Sequence, residues 1–342
     1  MQKVRVAIAG VGSAAKTIHI PALKKLPEAQ IVGVFDPQQQ PSPFPSFVTL
    51  DQLLDTRPDV VVIATPPQAH RPVALAALAA GAHVFCEKPL ANSVEEADAI
   101  AVAAKAAGRQ VCVNSEFPFM AMHLAAAREI GSERFGRLLF VEAHQTFVVT
   151  NETEAGWRGH DPQRTFKEFG THVIDLCKGF FAERPIGMSA RMPRPFAGGG
   201  PDYLNLVRLD FSEDRVAQIT LDRLTKGKHR YLDLRLVGEK GTIETSLGGS
   251  AEVTLGLRPK GKKPFAEWGM HLGGVARLYH GDRFTTLGRA PLDLYPDATA
   301  RLYRAFFEAI ATGREPPNGI AEARDTLDLI YRCYAEAGGG RP

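Results

Sequence analysis

The first 115 residues alternate short, unbroken apolar runs with helical stretches, and that alternation limits the possible folds more than any other feature. The runs are VRVAIAG (4–10), IVGVF (31–35), DVVVIAT (59–65), AHVFCE (82–87) and RQVCVN (109–114). Each is too short for a helix, and none shows the polar alternation of a half-exposed strand. They read as strands buried on both faces, as in a parallel sheet. Between them lie SAAKTIHIPALKKL, QAHRPVALAALAAG and SVEEADAIAVAAKAAG. The last opens with Ser93, carries Glu96 three residues later as a capping box, and stops at Gly108. Strands and helices at this spacing predict a doubly wound α/β domain over residues 1–116. One unit departs from the pattern. DPQQQPSPFPSF (36–47) holds four prolines, which forbid a regular crossover helix.

From residue 117 the pattern changes. A helix near 118–130 leads to a strand, GRLLFVEAHQTF (136–147), and then to a helix containing FKEFGTHVID (166–175). Alternating runs then dominate to about 256, with SED (212–214) and Gly238–Gly241 as turns. The pattern predicts a large, open, mostly antiparallel sheet in an α+β domain over 117–342. Two amphipathic helices within 295–337 close the chain and are candidates to pack back on the first domain.

The bulk properties exclude several functions. A net charge of +3 over 342 residues, with dispersed basic groups, gives no footprint for nucleic acid. The one basic run, RPKGKK (258–263), reads as a surface loop. The four cysteines stand far apart with no C-x-x-C spacing, so buried free thiols in a reducing compartment are expected, without a metal site or disulfide framework. No apolar run reaches membrane-spanning length, and the N-terminal residues pass straight into a strand pattern, so a cytoplasmic protein is expected.

Gly10-Val11-Gly12-Ser13-Ala14-Ala15 follows the first strand and opens the first helix, a G-x-G-x-x-A dinucleotide fingerprint. Gly10 suits the tight turn, and Gly12 leaves room for a pyrophosphate to approach backbone. The helix start at Ser13 and Ala14 offers N–H groups to the phosphates. Asp36 ends the second strand about twenty residues beyond the fingerprint. A carboxylate there accepts from ribose hydroxyls and repels a 2′-phosphate, which favours NAD over NADP.

ATPPQAH (64–70) and AGAHVFCEKPLA (80–91), taken with the N-terminal glycines, resemble the glucose–fructose oxidoreductase / inositol dehydrogenase / rhizopine-catabolism (Gfo/Idh/MocA) family. VGEKGTIET (237–245) and the closing helices extend the similarity over most of the chain. The resemblance implies an N-terminal Rossmann domain and a second domain whose open sheet commonly joins subunits into dimers or tetramers. It places Thr65, Pro66 and His70 over the cofactor, together with Glu87, Lys88 and Asn114. It also suggests a cis bond between Lys88 and Pro89.

Oxidation of an alcohol needs an acceptor for the hydroxyl proton and a positive group beside the developing alkoxide. Lys88 can supply the charge. The resemblance assigns the acid–base role to His172 and substrate binding to Asp175, with Glu168 where the family has Asp, expected as a catalytic residue that orients or tunes the Lys88–His172 pair. Trp157 and Arg158 are candidates to shape the substrate pocket. Three departures stand out: Glu168 itself, Arg164 and Lys167 in place of a glycine run, and NSEF (114–117) without its usual arginines. His83 and His123 read as packing residues, and His144 as a lesser candidate on the sheet. The expected function is NAD-dependent hydride transfer at a hydroxyl carbon of a sugar, cyclitol or related polyol. The alternatives are a cofactor-binding sensor without turnover, or an elimination or glycoside-cleaving enzyme that recycles its NAD.

Overall fold

In the computed structural model, the structure describes residues 3–38, 41–147, 162–195, 201–226, 231–248, 250–256, 265–271 and 273–339. The N-terminal strands are β1 (Val4–Ala9), β2 (Ala29–Phe35), β3 (Ser46–Phe47), β4 (Val60–Ile63), β5 (His83–Cys86) and β6 (Val111–Val113). They form one parallel sheet in the order β3-β2-β1-β4-β5-β6. The connecting helices are α1 (Ile20–Lys24), α2 (Leu50–Leu54), α3 (His70–Ala79) and α4 (Val94–Ala107). A π turn, Ala15–His19, runs directly into α1.

Local chemistry explains these elements. Ser93 Oγ accepts from the Glu96 backbone N–H at 3.2 Å, and α4 ends at Gly108 with a left-handed φ of 62°. The capping box is displaced by one residue, because the Glu96 carboxylate accepts from Asn92 N–H instead. The proline-rich stretch gives no crossover helix. β3 and α2 replace it, and α2 begins with a complete Thr49/Gln52 capping box.

The remaining elements are α5 (Ala121–Glu129), β7 (Leu138–Thr146), α6 (Thr171–Phe181), β8 (Gly187–Arg191), β9 (Leu204–Phe211), β10 (Arg215–Asp222), β11 (Leu232–Gly238) and β12 (Thr242–Leu247), then β13 (Ser250–Gly256), β14 (Phe265–His271), β15 (Gly274–His280), β16 (Arg283–Ala290), α7 (Leu294–Thr312) and α8 (Ile320–Gly339). The chain divides into two compact units. One holds 1–119, 163–176 and 295–342; the other holds 120–162 and 177–294.

In the first unit, successive β1 residues point to opposite faces, and both faces are buried. Ala7 and Ala9 pack with α3, α4 and Leu327 of α8, while Val6 and Ile8 pack with α1 and with Leu302, Tyr303 and Phe306 of α7. That two-sided burial is why the runs are apolar without interruption. Burial of the Val and Ile side chains contributes about 1.5–3 kcal/mol each.

The second unit holds an eight-stranded sheet ordered β16-β15-β12-β11-β7-β10-β9-β8. All neighbours are antiparallel except β7 and β10. Val141, Leu236, Ile243 and Leu278 are buried on one face, whereas the register aligns Glu142, Arg235, Glu244 and Arg277 across strands on the other. Periodicity two therefore separates an apolar from a charged face. The AEVTLGL run does not join this sheet; β13 pairs only with β14 as a separate hairpin. Among the described residues, no helix is long and apolar enough to cross a membrane. All four cysteines are buried free thiols.

Candidate active site

The groups gathered at the site belong to the first unit; His144 does not. Ligand sites in open parallel sheets lie at the carboxyl ends of the strands, where the β1, β2, β4, β5 and β6 exits converge. After β1, Gly10 adopts φ +92°, and a Cβ there would stand 2.6 Å from the Ala64 carbonyl oxygen. Only glycine fits this close approach of backbone to backbone. A Cβ on Gly12 would meet nothing within 4 Å, so space is open in front of the loop. Ser13 is exposed and Ala14 half-buried at the start of the helix. Asp36 holds the loop in shape, since its carboxylate accepts from Val11 N–H at 2.7 Å and from Gln38 N–H at 2.8 Å.

After β4, Pro66 is exposed, while the Thr65 hydroxyl is buried without a hydrogen-bond partner among the described residues. His70 is buried, with Nδ1 2.9 Å from the Pro89 carbonyl and Nε2 2.9 Å from the Thr65 carbonyl. It ties the loop after β4 to the loop after β5. Burial pushes its pKa down despite both carbonyls, so the ring is neutral and donates to one of them at a time. The open space at Gly12, the unpartnered Thr65 hydroxyl and the Asp36-braced glycine turn fit a dinucleotide.

After β5 come Glu87, Lys88 and the cis Lys88–Pro89 bond. Glu87 Oε1 lies 2.7 Å from His19 Nε2 and accepts from Asn114 Nδ2 at 2.8 Å; His19 Nδ1 lies 2.8 Å from the Tyr303 hydroxyl. Burial alone would raise the Glu87 pKa. The hydrogen bond from His19, the charges of His19 and Lys88, and the Asn114 amide together hold it below the usual value. An ionised Glu87 accepts from His19 Nε2–H, and His19 Nδ1 pairs with the Tyr303 hydroxyl. Thr299 completes the chain by donating to Asn114 Oδ1 at 3.3 Å.

Lys88 is half-buried. Its Nζ donates to the Glu168 main-chain carbonyl at 2.8 Å and stands 5.4 Å over the Phe169 ring. The segment Phe166–Gly170 is a π turn, whose i→i+5 pattern lets carbonyls near its ends take other donors. The Glu168 carboxylate turns elsewhere and accepts from the buried Arg164 Nε at 3.2 Å. Two of the sequence departures are therefore one feature, a buried Arg164–Glu168 pair within a single turn.

His172 follows on α6, 3% exposed, its ring stacked on Phe117 with centroids 4.0 Å apart and planes inclined by 10°. Its pKa lies well below the ordinary value, through burial and the charge of Lys88. Its Nδ1 is buried with no hydrogen-bond partner among the described residues, and the nearest acid is Glu116, Oε2 at 3.9 Å. Burial and the charge of Glu87 push Glu116 up to about 8. Asp175 accepts from Ser115 Oγ at 2.5 Å and Thr326 Oγ1 at 2.6 Å, which anchors α6 to the loop after β6 and to α8. Trp157, Arg158 and the 258–263 run lie outside the described residues. His144 sits on the second unit's sheet, its Nε2 3.8 Å from Asp222. No group of three or more His, Cys, Asp or Glu among the described residues is arranged to hold a metal ion.

Residues 4–115 match the profile of the oxidoreductase family with NAD-binding Rossmann fold, and 123–244 match the GFO/IDH/MocA C-terminal domain. The chain belongs to the Gfo/Idh/MocA family. It is 29% identical over 214 residues to a levoglucosan dehydrogenase of Pseudarthrobacter phenanthrenivorans, covering 54% of each chain. It is 28% identical over 346 residues to the uncharacterised oxidoreductase YdgJ of Escherichia coli, covering 96% of this chain and 94% of that one. The aldose–aldose oxidoreductase of Caulobacter crescentus complexed with glycerol superposes with a TM-score of 0.80 at 22% identity, over 99% of both chains. The chain spans about half the length of several curated relatives it matches, the levoglucosan dehydrogenase among them.

Within this family frame, the site gathers residues that sequence reasoning passed over. Glu116 and Phe117 lie in the NSEF segment, read at first for its missing arginines. Their place just beyond β6, at a strand's carboxyl end, was the available signal. His19 and Tyr303 carried none, being joined only by tertiary packing.

Proposed function

We propose that the chain is an NAD-dependent oxidoreductase acting at a hydroxyl carbon of a sugar, cyclitol or related polyol. The observation that carries this reading is Lys88 Nζ held 2.8 Å from the Glu168 carbonyl, in the turn that leads into α6 and His172; burial, aided by the Lys88 charge, keeps the imidazole neutral. A neutral His172 can take a hydroxyl proton, and Lys88 stabilises the alkoxide that forms. When bound, the nicotinamide supplies the hydride acceptor or donor. Gly10, Gly12, Ser13, Ala14, Asp36, Thr65 and Pro66 are the groups offered to it, with Asp36 favouring NAD over NADP. His70, Glu87 and Asn114 brace the loops that carry those groups. Asp175 and the Arg164–Glu168 pair support this reading by fixing α6 and the π turn around the two working side chains. The levoglucosan and aldose relatives support the substrate class.

The four buried thiols suit a reducing compartment such as the cytoplasm. A homodimer or homotetramer formed through the second unit's sheet is part of the proposal, and its charged cross-strand row offers polar partners for a second copy. Sedimentation of the purified chain tests the assembly.

Turnover of a polyol panel with NAD tests the chemistry. Wild type reduces NAD with at least one member, and Lys88→Met and His172→Ala do not. Equal turnover by all three proteins would sink the assignment, and product formation without net NADH would point to cofactor recycling.

A further inference from the structure

His172 needs both ring nitrogens to act as a base, because the nitrogen facing away from the substrate must keep its proton while the other accepts one. Which nitrogen carries the proton is set by what the second nitrogen meets. Here Nδ1 is buried, has no hydrogen-bond partner among the described residues and looks toward Glu116 Oε2 across 3.9 Å. Phe117, the next residue, stacks flat on the ring and fixes its plane. A small movement of the Glu116 carboxyl group therefore closes the gap more readily than a tilt of the ring.

We propose that Glu116 is the positioning residue of His172: its carboxyl group takes the Nδ1–H hydrogen bond, leaving Nε2 as the atom that accepts the substrate proton. This rests on the proposed role of His172. Nε2 would take the hydroxyl proton while Glu116 holds Nδ1–H in place, and a bound nicotinamide would supply the acceptor for the C–H electron pair that leaves as hydride. Without an acceptor at Nδ1, the imidazolium would be buried next to Lys88 with one N–H unsatisfied.

The groups facing Glu116 are His172 on α6, Glu87 and Lys88 in the loop after β5, and Tyr295 on α7, whose own hydroxyl is raised by burial and by Glu116. Burial first and the charge of Glu87 second keep Glu116 protonated near neutrality, and Lys88 opposes them. The carboxylate form, the stronger acceptor, accordingly fills as pH rises through about 8, and alcohol oxidation should rise over the same range.

The test uses the full chain with NAD and the active polyol, in wild type, Glu116→Gln and Glu116→Met. Wild-type kcat rises along a limb near pH 8, Glu116→Gln loses that limb, and Glu116→Met lowers kcat about 10- to 100-fold while the dissociation constant for NAD stays unchanged. Nitrogen-15 NMR of histidine-labelled protein reads the His172 tautomer without turnover. It shows Nδ1–H in wild type and a shift toward Nε2–H in Glu116→Met. A limb that survives in Glu116→Gln, or a tautomer unmoved in Glu116→Met, overturns the proposal even where Lys88 and His172 prove essential. Failure of the functional reading looks different: no polyol is oxidised, yet the tautomer still responds to Glu116→Met.

Discussion

The first unit contains two buried histidine–glutamate pairs with opposite outcomes. His19 and Glu87 meet at 2.7 Å, and the second nitrogen of His19 is matched by Tyr303. His172 and Glu116 stand 3.9 Å apart, and the buried Nδ1 of His172 lacks a partner among the described residues. Glu87 is held below the ordinary carboxylate value, whereas Glu116 is pushed up to about 8. Burial is shared, so it does not explain the contrast. Completed hydrogen bonding does: a satisfied pair stays charged and rigid, and an unsatisfied one stays neutral and able to exchange protons. Both histidines lie at a π turn, His19 at the end of one and His172 just beyond the other. In this chain one π turn leads into the brace and the other into the proposed base.

Mutating each pair should break the symmetry between them. His172→Ala is expected to lower polyol turnover by about 10²–10⁴-fold with little change in the melting temperature, measured by steady-state kinetics beside calorimetry. His19→Ala should do the reverse. It strips a buried carboxylate of its partner and costs about 2–4 kcal/mol of stability in denaturant unfolding, with residual activity following the folded fraction. Tyr303→Phe should cost about 1–3 kcal/mol, because His19 Nδ1 then loses its hydrogen-bond partner.

The finest distinction lies in pH. Glu116 has a folded pKa above its unfolded value, so its protonated form favours the folded state. That stability is complete below about pH 4.5, the ordinary carboxyl value, and is lost as pH rises through about 8. Glu116→Gln should flatten the decline by at most about 1.4 kcal/mol per pH unit within that window. Glu87 has the opposite sign, being held low, so its contribution is present above the unfolded pKa and fades in acid. Urea unfolding at a series of pH values for the two proteins checks both slopes.

Much of this was legible in the chain. The unbroken apolar runs marked every long strand of the parallel sheet, because two-sided burial writes itself into composition. The G-x-G turn, Asp36 and the E-K-P segment marked the strand ends that carry the site. A regular helix through 166–175 would set Glu168 and His172, four residues apart, on one face. The π turn between them alters that register, and Glu168 pairs backwards with Arg164 while its carbonyl receives Lys88. The separate β13–β14 hairpin was equally hidden, since alternation alone does not say which strand is a neighbour.

The sequence by itself determined the strands of the parallel sheet and the glycine turn after β1 and, through the family resemblance, pointed to the two proposed working side chains, Lys88 and His172. These depend on local pattern and on residues a few positions apart. Only the tertiary structure decided which carboxylates are charged and which histidine nitrogen is unpaired. Those properties arise where segments far apart in the chain meet away from water: Glu87 with His19 and Tyr303, and Glu116 with His172. Electrostatic balance there is set by distance and burial, and neither is written in residue order.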